Sequence, residues 1–121
     1  MTDYKRPLDI ITEGRTLPNG YDHWAMKTVQ ADFTTQNDYV WPFPGKIAKA
    51  SGPFTVTSDP CPAYNGDGLC VANTYSGMAS GGMPARTLLL VAYKSKNVLA
   101  TGDNKVRVKS CLVVELLDGE R

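Results

Sequence analysis

The run Thr87-Leu88-Leu89-Leu90-Val91-Ala92-Tyr93 constrains the fold more than any other stretch of the chain. It is strand-sized and no charge interrupts it. A strand with one wet face alternates apolar and polar residues, so an unbroken run fits a strand buried on both faces. Such a strand needs partners beside it in a sheet and cover above and below.

Several stretches can supply those partners. Lys105–Leu117 reads as the last long strand. Val106, Val108, Leu112, Val114 and Leu116 share one of its faces, and Lys105, Arg107 and Lys109 share the other at its start. Trp24–Phe33 alternates Trp24, Met26 and Thr28 against Ala25, Lys27 and Val29, which predicts a first strand. Leu69-Cys70-Val71-Ala72 predicts a short buried strand. It follows a loop over residues 58–68, where Asp59-Pro60, Pro62, Asn65-Gly66 and Asp67-Gly68 cluster. Tyr39-Val40-Trp41 runs into Pro42-Phe43-Pro44-Gly45, whose two prolines forbid a central strand and favour an extended edge or a turn. Lys46–Ala50 predicts another short strand, broken by Ser51-Gly52-Pro53.

Helical signals are weak. Asn73 or Thr74 would cap a brief helix through Tyr75, Met78 and Ala79, but Gly77, Gly81 and Gly82 each cost roughly 1 kcal/mol there relative to alanine. Asn97–Ala100 predicts a short turn or helical piece. Residues 1–22 read as an irregular arm, with an extended piece at Leu8–Ile11 and a turn at Asn19-Gly20. The expected architecture is α+β: a compact, mainly antiparallel β domain over residues 23–121 with one or two short helices, preceded by the arm of residues 1–22.

At 121 residues the chain suits one domain with a real core. Thirteen basic and twelve acidic residues leave a formal charge of +1, which excludes a strong global field toward nucleic acid or an anionic membrane. No apolar run approaches the roughly 20 residues needed to cross a bilayer, and the first seven residues lack the apolar core of a secretory signal. The expected site of action is the cytoplasm, with neither membrane nor nucleic acid as partner. Three cysteines, an odd number, are then expected as free thiols.

Candidate chemistry is sparse. Cys61, Cys70, Cys111 and His23 are the chain's thiols and its one imidazole, and their spacing matches no structural zinc pattern. Cys61 and Cys70 could bridge their loop only in an oxidising setting; Cys70 and Cys111 read most simply as small core residues. A cysteine or serine nucleophile would have to use His23 as base, and no G-x-S-x-G occurs. The glycine-rich stretch SGMASGGMPA, residues 76–85, lacks the phosphate-loop lysine and the dinucleotide spacing, so it reads as a tight connection. No catalytic residue, metal site or cofactor is therefore expected. Two stretches remain as binding candidates. Lys105, Arg107 and Lys109, with Lys94 and Lys96 before them, form a basic stripe for phosphates or an acidic partner, or else a solvated sheet face. Tyr39, Trp41 and Phe43 form either a recognition surface or a corner of the core.

Four segments in order, VQADFTTQNDYVWPFPGK, GDGLCVANTYSGMASGGMPA, LLLVAY and NKVRVKSCLVVELL, resemble a group of small uncharacterised proteins from actinobacteria and the phages that infect them. The resemblance covers about residues 24–117. It implies a phage or mobile-element setting and an accessory role, with an unidentified host protein as partner. A fainter resemblance is to the ADP-ribosyltransferase-like fold. It rests on Ala31-Asp32-Phe33, Pro44-Gly45, Leu69–Ala72, Leu90–Tyr93 and Val113–Leu116. That resemblance implies NAD or nucleotide binding near Cys70–Met78. Met26 and Lys27 stand where those enzymes carry a histidine or arginine, so the implied relative is catalytically degenerate. A minor virion protein is the third expectation within the phage setting.

Overall fold

The computed structural model describes residues 7–30, 32–34, 39–50, 68–73, 87–102 and 105–118. A five-residue helix, α1 (Pro7–Ile11), comes first. Among the described residues seven strands follow: β1 (His23–Val29), β2 (Ile47–Lys49), β3 (Leu69–Ala72), β4 (Thr87–Tyr93), β5 (Val98–Thr101), β6 (Lys105–Val108) and β7 (Ser110–Asp118), with a 3-10 turn at Ser95–Asn97 before β5. All seven join one sheet in the order β2-β7-β4-β1-β3-β6-β5, and all of its pairings are antiparallel.

The order forces the sheet to roll. Four strand steps separate β6 from β7, yet only Lys109 lies between them in the chain. A flat sheet would hold them about 19 Å apart at about 4.8 Å per step, while two residues reach only about 7 Å. The sheet therefore curls until its two ends meet at Lys109. The hydrogen bonds there agree: Ala50 N, just past β2, donates to Lys109 O (3.0 Å), and Lys109 N donates to Asn97 O (2.8 Å), just before β5. Both edge strands thus converge on one residue.

The inner face carries Ala25 and Val29 of β1, Leu69 and Val71 of β3, Leu89, Val91 and Tyr93 of β4, Val106 and Val108 of β6, and Cys111 and Val113 of β7, packed as one cluster. Met26, Ala72, Leu90, Ala92 and Arg107, on the opposite face, are buried as well. This is the two-sided burial that the apolar run of β4 predicts, and in β4 only Leu88 is partly exposed.

Several expectations need correction. The stretch 105–117 is two strands rather than one. Lys109 is spent on the corner, and an odd residue in a period-2 pattern moves every later side chain to the other face. After Val106 and Val108 the inner positions become Cys111 and Val113, while Leu112 and Val114 are half-buried and Leu116 is exposed. Register shifts in the β4–β7 pairing at Leu88/Leu89 and Leu90/Val91 displace β7 further. Leu8–Ile11 is helical rather than extended; Pro7 suits a first helical position because its missing N–H would have no partner there. Thr12 closes that turn, its N and Oγ both donating to Leu8 O. Val98–Ala100 belongs to β5, and the turn ends at Asn97. Among the described residues the helical content is α1 and the 3-10 turn, so the fold is mainly β rather than α+β. The helix expected through Tyr75, Met78 and Ala79 lies outside the described residues, as does Cys61.

Several contacts hold the arm to the body. Arg15 pairs with Glu115 of β7, and Asp22 N donates to Tyr93 O (3.1 Å). The Asn19-Gly20 turn forms, with Tyr21 N donating to Pro18 O. Among the described residues no helix is long and apolar enough to cross a membrane.

Candidate functional site

β1 ends at Val29, and the chain then turns tightly: Phe33 N donates to Gln30 O (2.8 Å) and Gln30 N to Thr34 O (3.0 Å). Asp32 Oδ1 accepts from both Thr34 N (3.1 Å) and Thr34 Oγ (2.6 Å). These bonds, the side-chain one first, hold the Asp32 carboxyl below its ordinary range. Phe33 takes a left-handed backbone, φ 68°, rare for a bulky residue, and buries its ring in return. Its carbonyl accepts from Trp41 N (2.7 Å), and Thr34 bridges Val40.

That pairing launches a wide reversal of the chain over residues 39–49, called the hairpin from here on, whose legs are joined by the turn at its tip and a side-chain bond. Its tip is Phe43-Pro44-Gly45-Lys46, with Lys46 N donating to Phe43 O (3.2 Å) and Gly45 at φ 97°. Proline followed by a residue of positive φ is the signature of a type II turn, which only glycine enters at little cost. Its second leg is β2, an edge strand paired with β7 as Ile47↔Leu112, Ala48↔Cys111 and Lys49↔Ser110. The hydroxyl of Tyr39 accepts from Lys49 N (2.9 Å), which ties the legs together and occupies a backbone donor of the edge. Burial pushes the Tyr39 hydroxyl above its ordinary pKa, so it stays protonated at neutral pH.

The hairpin has two faces of opposite character. Trp41 is 2% exposed; Tyr39 meets it edge-to-face at 5.8 Å, and Lys27 Nζ lies 5.5 Å from the indole centroid while donating to Cys70 O (2.8 Å). Outward stand Val40 (61% exposed), Phe43 (66%) and Ile47 (57%). Phe43 leans edge-on against Phe33, with centroids 5.1 Å apart. Lys46 and Lys49 are exposed beside them.

The structure divides each group of binding candidates. Of the aromatic trio, Trp41 is core, Tyr39 is a half-buried pin and Phe43 is surface. Of the basic stripe, Lys105 is half-buried, Arg107 is fully buried with its stem over Gly68, and Lys109 is exposed at the corner. The β2–β7 pairing then brings Lys109 next to the hairpin, through Ala50 N. Lys109 thus lies beside the Lys49–Ala50 end of β2, and Phe43 lies at the other end, at the 43–46 turn. Lys94 sits over the Tyr21 ring at 5.0 Å, and Lys96 is exposed in the 3-10 turn.

The possible chemical groups are elsewhere. Cys111 is buried on the inner face, and burial pushes its thiol up to about 12, with the charge of Lys27 opposing weakly. A thiol so placed is protonated at neutral pH and is no nucleophile. Native protein treated with iodoacetamide at pH 8 is expected to leave Cys111 unmodified by peptide mapping, and urea-unfolded protein to modify it fully; labelling of native Cys111 would refute this placement. Cys70 is half-buried in β3. His23 finds a partner that the sequence did not indicate: its Nε2 lies 2.8 Å from Ser95 Oγ, and its ring stacks on Tyr93 at 4.9 Å. Only the β1–β4 register, His23↔Tyr93, would have shown this. Asp22 turns its carboxylate to the Ser95 amide (2.8 Å), so the three residues latch the β4–β5 turn to the start of β1. Among the described residues no three potential metal ligands cluster.

No protein-family model matches the chain, and neither a curated protein nor a solved structure matches it.

Proposed function

We propose that this chain is a phage-encoded accessory protein that binds a host protein, and that it docks through the outer face of the 39–49 hairpin. The observation that carries the reading is the exposure of Val40, Phe43 and Ile47 on one short element whose other face is fixed in the core. Scattered exposed apolar residues are ordinary, but three within eight residues of one element whose Trp41 is buried support a docking role for it. Aromatic anchors held by a buried neighbour lose little side-chain entropy on binding. Phe43, propped by Phe33, has that support.

The test is site-specific photo-crosslinking in host cytoplasm. A benzophenone amino acid replaces Phe43, or Asn19 at an exposed position on the arm. A discrete protein adduct from position 43, absent from position 19, is the expected result. No adduct, or the same adducts from both positions, would contradict the reading.

A further inference from the structure

Resting on the reading of the hairpin as a docking surface, we infer the chemistry of what it takes: an extended segment of a partner protein in which acidic residues flank an apolar anchor. Residues 39–50 contain no aspartate or glutamate, and their charged side chains are Lys46 and Lys49, both exposed. Lys109, also exposed, joins them where Ala50 N meets Lys109 O. The apolar centre of Val40, Phe43 and Ile47 is therefore rimmed by positive charge. Among the described acids around this element, Asp32 has its carboxylate turned into its own loop by Thr34, and Glu115, two residues past the Val113 that bonds Gly45 and Lys46, is paired with Arg15; Asp38, next to Tyr39 in sequence, lies outside the described residues.

Charge also selects among occupants. A second copy in a two-fold contact would set this rim against itself, lysine to lysine, which is repulsive. A nucleic acid would be drawn to the lysines but would leave three apolar side chains without a partner of their kind. An acidic, apolar-anchored segment satisfies both features. Recognition runs through side chains rather than strand addition. β2 is three residues long, and its Lys49 N–H is already held by the Tyr39 hydroxyl.

Random 12-residue peptides displayed on particles are selected against the full chain, and the enriched peptides are synthesised with fluorescein and titrated by anisotropy. Enriched sequences are expected to combine Asp or Glu with Phe, Trp, Leu or Ile. Affinity is expected to fall about tenfold or more with Phe43→Ala and about tenfold with Lys46→Glu plus Lys49→Glu. Selection against the charge-reversed variant is expected to enrich Lys and Arg instead, and Phe43→Leu is expected to retain most of the affinity. Circular dichroism confirms that each variant is folded. Phe43-dependent peptides without acidic residues would overturn the inference and leave the docking reading standing. Peptides indifferent to Phe43, or no enrichment at all, would overturn both. A single-stranded oligonucleotide that displaces the peptides more tightly than they bind would overturn the inference in favour of nucleic acid.

Discussion

Replacing Gly68 by alanine is expected to destabilise the protein by about 3 kcal/mol. Two separate costs combine there. Gly68 has φ 112°, a region that an L side chain enters at a cost of about 1–2 kcal/mol. A Cβ would also lie 2.9 Å from Arg107 Cγ and 2.9 Å from Leu99 Cδ1. Arg107 is fully buried, so its stem has nowhere to swing, and overpacking of this kind costs about 1–3 kcal/mol. Gly45→Ala is the matched control. It shares the positive φ, but nothing lies within 4 Å of its Cβ position, so its cost is expected to be about 1 kcal/mol. Urea unfolding midpoints at unchanged slope separate the two. Equal losses would mean that Arg107 yields and that Gly68 has no packing role.

The second large effect distinguishes the two faces of the hairpin. Trp41→Ala empties a site 2% exposed and removes the edge contact with Tyr39 and the Lys27 interaction, so a loss of about 3–5 kcal/mol is expected. Set against a typical total of about 5–15 kcal/mol, that takes a large part of the stability. Phe43→Ala, two residues on and 66% exposed, is expected to cost below about 1 kcal/mol, mostly its contact with Phe33. For the proposed partner binding the order is expected to reverse, with Phe43→Ala costing more affinity than its stability loss suggests. Thermal melts of the two variants suffice for the first half. A Phe43→Ala variant as unstable as Trp41→Ala would place Phe43 in the core and remove it from any docking surface.

The strands that could be read from sequence are those whose pattern has one interpretation. β4 is apolar throughout and buried throughout. β3 and β2 lie where their short apolar and alternating runs put them. The break at Lys109 was hidden because both faces of the sheet carry apolar residues: when the parity flips, Leu112 and Val114 still look like core positions. A lysine on an alternating strand looks like a solvated residue, whereas here it is the corner at which the sheet closes. The same pattern placed Arg107 with Lys105 and Lys109, since charge in a sequence suggests solvent; the bare backbone of Gly68, just before the neighbouring strand β3, is what lets its stem pack inside. Tyr39, Trp41 and Phe43 would share one face of a regular strand. Pro42 and the turn at Pro44-Gly45 end the alternation after Trp41, which sends Trp41 inward and Phe43 outward. Neither the meeting of Lys109 with the end of β2 nor that of His23 and Ser95 was accessible, because both depend on strand pairings rather than on local pattern.

The folded hairpin is proposed to present its outer face to a protein partner. The most direct test is calorimetric titration of the partner identified by crosslinking at position 43 against wild type and the double variant Phe43→Ala plus Ile47→Ala, with melting curves of both recorded in parallel. A melting temperature within a few degrees of wild type and an affinity lower by about 100-fold are expected, two interface anchors being lost at about tenfold each. Unchanged affinity in the folded double variant would contradict the proposal.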